Sequence, residues 1–153
     1  MAGILTEEIK AAIADKDTLK SIATVDKNGI PHVVYKGSLH VDADGNLEFY
    51  DLLESSKINQ NLVYAIWFGK KVAVQILTSD KKSYEIIGSP VKSVTSGREF
   101  EEVYKRLLER NPEGDLNAIW TIAPESIREE TFSVRVQESA RDYPVLGHLD
   151  KFA

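Results

Sequence analysis

Between Leu47 and Leu62 the chain changes its period, and few folds place such a change there. As far as Leu52 the residues alternate, with Leu47, Phe49 and Asp51 on one side and Glu48, Tyr50 and Leu52 on the other. That pattern, following a turn, reads as a strand. Beyond it Ile58, Asn61, Leu62 and Ala65 fall at helical spacing, and Ser55 or Ser56 stands where an N-cap belongs. A strand therefore passes into a helix across Ser55-Ser56-Lys57. Such a junction gathers free backbone N–H groups, the positive end of a helix dipole, two hydroxyls and an ammonium, which are the parts that hold a phosphate. Capping alone also accounts for both serines, and a lysine in a first helical turn is often simply solvated.

The 153 residues amount to one ordinary domain, spanning residues 1–153 with a core at about 4–136 and a tail at 137–153. A chain of this length buries about 68–70% of its unfolded surface and needs no covalent staple. It has no cysteine, which excludes disulfides, thiolate metal sites and thiol catalysis and fits a cytoplasmic protein. The longest apolar run, Leu62 to Phe68, is too short to span a bilayer, and no signal-peptide pattern opens the chain. A net charge of −5 argues against a nucleic-acid partner.

Taken in order, Thr6 caps a helix over Glu7 to Ala14, whose first-turn glutamates suit its positive end. Leu19 to Val25 is a strand, and Asn28-Gly29 turns it into the next, Pro31 to Val41. Gly37 inside that strand suggests a bulge or a close approach. After Asp44-Gly45 comes the strand at Leu47, completing an antiparallel meander. The Ser55–Phe68 helix ends at Gly69. Val72 to Thr78 and Ser83 to Val94 are strands, the second interrupted at Gly88-Ser89-Pro90. Ser96 with Glu99 forms a capping box for a helix carrying Phe100, Val103, Tyr104, Leu107 and Leu108. Leu116 to Ile122 and Ser126 to Val136 complete the strands, and residues 137–153 show no periodicity. Many short strands with tight turns favour a closed or nearly closed barrel.

The order of these elements resembles the FMN-binding split barrels of the pyridoxamine 5′-phosphate oxidase-like superfamily, and the small flavin-binding members more than the oxidase itself. The residues that carry the resemblance are Ile22-Ala23-Thr24-Val25, Asn28-Gly29, Pro31-His32, Asp44-Gly45, Phe49-Tyr50, Ser55-Ser56-Lys57, Asn61-Leu62, Ile87-Gly88 and the Phe100–Leu108 helix. The resemblance implies a mainly β fold with flanking helices: a six-stranded antiparallel Greek-key barrel that forms a homodimer with FMN in a cleft at the interface. It places Val34, Tyr35 and Lys36 near the flavin ring. Asp51, Ser55, Ser56 and Lys57 stand towards the phosphate, and Gln75 and Trp120 are further cofactor candidates. It also implies electron or hydride transfer through the flavin, with substrate and electron partner open.

The chain departs from the family pattern at two positions. Val34 stands where the oxidases carry an arginine, and Asp51 where a threonine is usual. A carboxylate beside a phosphate costs Coulomb energy, so Asp51 must point away or the cofactor must sit differently. The oxidase's C-terminal arginine and histidine motif is absent; Arg141 and His148 lie in the tail without a visible tie to a substrate. His32, His40 and His148 show no metal-ligand spacing. The alternative reading is a non-enzymatic barrel holding haem, a deazaflavin or another ligand in the same cleft, with one of these histidines as the axial ligand of a haem.

Overall fold

The computed structural model describes residues 3–144. In chain order the elements are α1 (Glu7–Ala14), β1 (Leu19–Val25), β2 (Pro31–Tyr35), β3 (His40–Val41), β4 (Leu47–Asp51), α2 (Lys57–Phe68), β5 (Val72–Leu77), β6 (Ser83–Val94), α3 (Arg98–Arg110), β7 (Ala118–Glu129) and α4 (Phe132–Asp142). All seven strands belong to one antiparallel sheet in the order β2-β1-β5-β6-β7-β4-β3. The expected six strands are therefore seven among the described residues.

The chain itself forces that sheet to curl. Laid flat, its two edge strands would stand ~29 Å apart at ~4.8 Å per strand step. Yet β2 and β3 are those edges, and the short stretch from Tyr35 to His40 reaches only ~18 Å when fully extended. The run expected to be one strand from Pro31 to Val41 breaks here into β2 and β3. Leu39 N–H bonds Lys36 C=O to make a turn, and Gly37 sits in it with open space around it. Gly37 thus serves the turn, and no backbone among the described residues approaches it closely. Across the seam the Ser38 hydroxyl accepts from Tyr50 N–H at 3.0 Å and donates to Tyr50 C=O at 3.4 Å.

One face of every long strand fills the interior. Ile22, Val74, Ile76, Ile86, Leu47, Phe49, Trp120 and Ile122 are buried there. Helix α2 buries Ile58, Leu62 and Ala65 against them, and α1 adds Ile9 and Ile13. Each such side chain contributes about 1.5–3 kcal/mol on burial. Buried Asn61 on α2 donates to buried Thr24 on β1 at 2.9 Å, so neither polar group is left unsatisfied. On β6 the expected interruption appears as register shifts at Ile87/Gly88 and Pro90/Lys92. A Cβ at position 88 would lie 2.5 Å from Ala123 C=O on β7, so only glycine allows the strands this approach.

Three expectations about the second half fail. The two late strands are one, β7, and the proposed strand over Ser126 to Val136 turns into α4 after Glu129. Thr131 accounts for the turn: its hydroxyl accepts from Ser83 N–H, and its C=O takes the N–H groups of Val134 and Arg135, which starts a helix. Helical structure therefore extends to Asp142 in the tail read as aperiodic; His148 lies outside the described residues. The capping box at Ser96 and Glu99 does not form either. Gly97, with φ of 97°, takes the N-cap position and no side chain caps α3. No helix among the described residues is long and apolar enough to cross a membrane.

Candidate functional site

The strand-to-helix junction has an inner and an outer half. The inner half centres on Asp51, the last residue of β4, which alternation turns into the interior with Leu47 and Phe49. It is 0% exposed. Its carboxylate accepts from the Ser56 hydroxyl at 2.9 and 3.0 Å, from Asn117 Nδ2 at 3.2 Å and from Lys36 Nζ at 3.4 Å. The Lys36 side chain is 17% exposed and lies 5.6 Å from the centre of the Phe49 ring. The Ser56 hydroxyl also caps α2 by accepting from Asn59 N–H at 3.1 Å. The capping reading of Ser56 is therefore realised, and Asp51 points away from the surface.

The outer half comprises Ser55, Lys57 and the first turn of α2. Ser55 is exposed, as is Lys57. Asn59 and Gln60 N–H groups are taken by Ser56, whereas those of Lys57 and Ile58 have no acceptor among the described residues. Lys57 Nζ reaches Asp26 Oδ2 at 3.4 Å, across to the β1–β2 turn. Hydrogen bonds from Ile30 and Asn28 N–H, with help from Lys57, hold the Asp26 carboxyl below the usual range. Asp26, Asn28, Lys57, Gln60 and Tyr64 line a cavity of about 300 Å3.

Strand β2 runs beside this junction, and α2 packs against both β1 and β2. Lys36 N–H bonds Lys20 C=O, so in the antiparallel ladder His32, Val34 and Lys36 direct their backbone groups to β1. Val33 and Tyr35 direct theirs to the open edge. These two residues are 66% and 71% exposed, on an outer face that also carries Leu19. Val34 packs inward against the core.

Two other candidates stand apart. Gln75 on β5 lies on the outer face, with its amide donating to the Ser83 hydroxyl. Trp120 is 2% exposed and its indole N–H donates to Asn59 Oδ1 at 3.1 Å, which makes it a core residue. Reading the residues missed Asp26, Asn59, Asn117 and Ser38. Asp26 was visible only as turn chemistry, and the other three act on partners remote in sequence that no local spacing reveals.

A larger cleft of about 710 Å3 lies between the β3–β4 hairpin and α3, lined by His40, Glu48, Tyr50, Lys92 and Arg106 among others. Several groups at its β3–β4 side are engaged with one another. His40 Nδ1 meets Ser38 C=O at 2.7 Å and Nε2 meets Glu48 at 3.0 Å, while Asp42 accepts from Asp44 and Asn46 N–H in its turn. A second polar cluster pins α1 to the sheet: Glu8 accepts from Lys82 and from Tyr84, each at 3.2 Å. Burial and then the bond to Glu8 push the Tyr84 phenol up to about 12. Lys82 and then Tyr84 hold the Glu8 carboxyl below its usual value.

No family model and no curated protein matches this sequence. Solved structures do match its fold. HupZ of Group A Streptococcus is 20% identical, with 84% of this chain and 96% of that chain covered at a TM-score of 0.66. A pyridoxamine 5′-phosphate oxidase candidate from Lactobacillus delbrueckii is also 20% identical, covering 81% and 93% at 0.61. An FMN-binding protein from Syntrophomonas wolfei is 14% identical, covering 80% and 84% at 0.60. The same fold recurs in an F420 reductase and in HutZ, a haem storage protein of Vibrio cholerae.

Proposed function

We propose that this chain, which has the fold of the pyridoxamine 5′-phosphate oxidase-like FMN-binding proteins, is an FMN-binding redox protein that works as a homodimer. The observation that carries the reading is one juxtaposition. The open edge of β2, with the backbone groups of Val33 and Tyr35, runs beside Ser55 and an α2 first turn with Lys57 and two N–H groups that have no acceptor among the described residues. The outer half of the junction fits a phosphate: one hydroxyl, one ammonium and two backbone donors at a helix N-terminus. The β2 edge fits the polar rim of a flavin ring, which needs donors and acceptors in a row. Bound there, flavin would supply one-electron or hydride chemistry, and this chain's part is to hold, orient and shield it.

The chain offers no side chain that demands an acid or base role at this edge, so carrier and reductase activities are both compatible with it. Titration of purified protein with FMN, followed by flavin fluorescence and absorbance, should saturate at one FMN per chain. A haem or deazaflavin spectrum with no FMN uptake would transfer the cleft to the alternative ligand class.

Apolar side chains left uncovered near this edge support the homodimer. Val33, Tyr35, Leu19 and Ile30 are more than half exposed on β1, β2 and their turn. A second copy would cover them and wall the cleft, and a two-fold dimer is the commonest closed oligomer. Sedimentation at micromolar concentration should give a dimer. A monomer that holds flavin at full occupancy would sink the shared cleft.

A further inference from the structure

We infer that Asp51 is a specificity-determining residue of this cleft: an internal counter-anion that engages Ser56 and Lys36 and leaves a ligand phosphate only the outer donors. The inference rests on the flavin reading above and concerns which flavin the cleft prefers.

A buried carboxylate must be paired, and Asp51 is paired from three segments: Ser56 from the α2 cap, Lys36 from the seam turn and Asn117 from just before β7. Ser56 has a single hydroxyl proton, directed at Asp51, and its oxygen already accepts from Asn59 N–H. It has nothing left to donate to a ligand. The Lys36 ammonium lies over the Phe49 ring and against Asp51, largely removed from solvent. Through Ser56 the carboxylate also sits at the positive end of α2, where it offsets part of the field that draws anions.

A hydroxyl at position 51 could meet Ser56 without charge, with fewer acceptor sites than a carboxylate. The charge itself has a consequence. It opposes a second anion at the same junction, through a medium that screens poorly. The cleft should gain less from a terminal phosphate than its serines and lysines suggest, and should take flavins chiefly through the ring.

The test compares FMN with riboflavin in the wild type, in Asp51→Asn and in Asp51→Thr, each checked for fold by circular dichroism. Removing the charge frees Lys36 and lifts the repulsion. The ratio of FMN to riboflavin affinity should rise about fivefold in both variants, with riboflavin affinity unchanged. Asp51→Thr guards against a folding failure of the asparagine variant, since threonine suits a strand and its hydroxyl can meet Ser56. An unchanged or lower ratio in a folded variant overturns the inference and leaves the flavin reading intact. Failure of the wild type to bind either flavin overturns both.

Discussion

Trp120→Ala should lower the stability of the chain by about 3–5 kcal/mol, the usual cost of emptying a buried indole site. Trp120 is 2% exposed and faces Phe49 across the β4–β7 ladder. It belongs to one buried core with residues of several strands of the curled sheet and of α2, so the space cannot close without moving several elements. The substitution also strands Asn59 Oδ1 in the first turn of α2, whose partner is the indole N–H. Trp120→Phe separates the two contributions. It keeps most of the volume and removes the hydrogen bond, and should cost about 1–2 kcal/mol. Urea unfolding of the three proteins measures both differences. If Trp120→Ala instead left stability untouched and removed flavin binding, the residue would be a ligand contact and its core assignment would fall.

The same residue shows where sequence reasoning reaches its limit. Trp120 could be read either as core or as a cofactor contact, because an aromatic on a strand gives no sign of which face it takes. Only pairing with Phe49 in the ladder settles it. The strands with clean alternation or strong turn chemistry were legible: β1 and β6 fall at the expected residues, α1 carries the expected Thr6 cap, and α2 is capped by Ser56, one of the two serines expected there. What failed depended on distant partners. The β2–β3 break exists because the seam must close through Lys36 and Ser38, and α4 begins because Thr131 is held to Ser83, far earlier in the chain. Asp51 was recognised as a misfit beside a phosphate. Its resolution required Asn117, whose approach no local pattern announces.

Lys57→Ala should weaken FMN binding by about tenfold while leaving riboflavin binding nearly unchanged. A charge-assisted hydrogen bond contributes about 1.5–3 kcal/mol, which is roughly 10- to 150-fold in affinity. Two features place Lys57 at the low end. Its side chain is 46% exposed, so water screens the pair, and Asp26 already stands 3.4 Å from its ammonium. A phosphate must share that ammonium with the Asp26 carboxylate, which its own turn N–H groups keep ionised and in place. Because the pair is partly exposed, the tenfold loss should shrink as salt is raised. Riboflavin lacks the phosphate and cannot report on this contact. Melting of the ligand-free protein should barely change, since Lys57 is exposed and an exposed ion pair contributes little to stability. Calorimetric titration of both flavins against wild type and variant decides the matter. Equal losses for FMN and riboflavin would mean that Lys57 supports the cleft as a strap to the β1–β2 turn, and the phosphate would have to be held elsewhere.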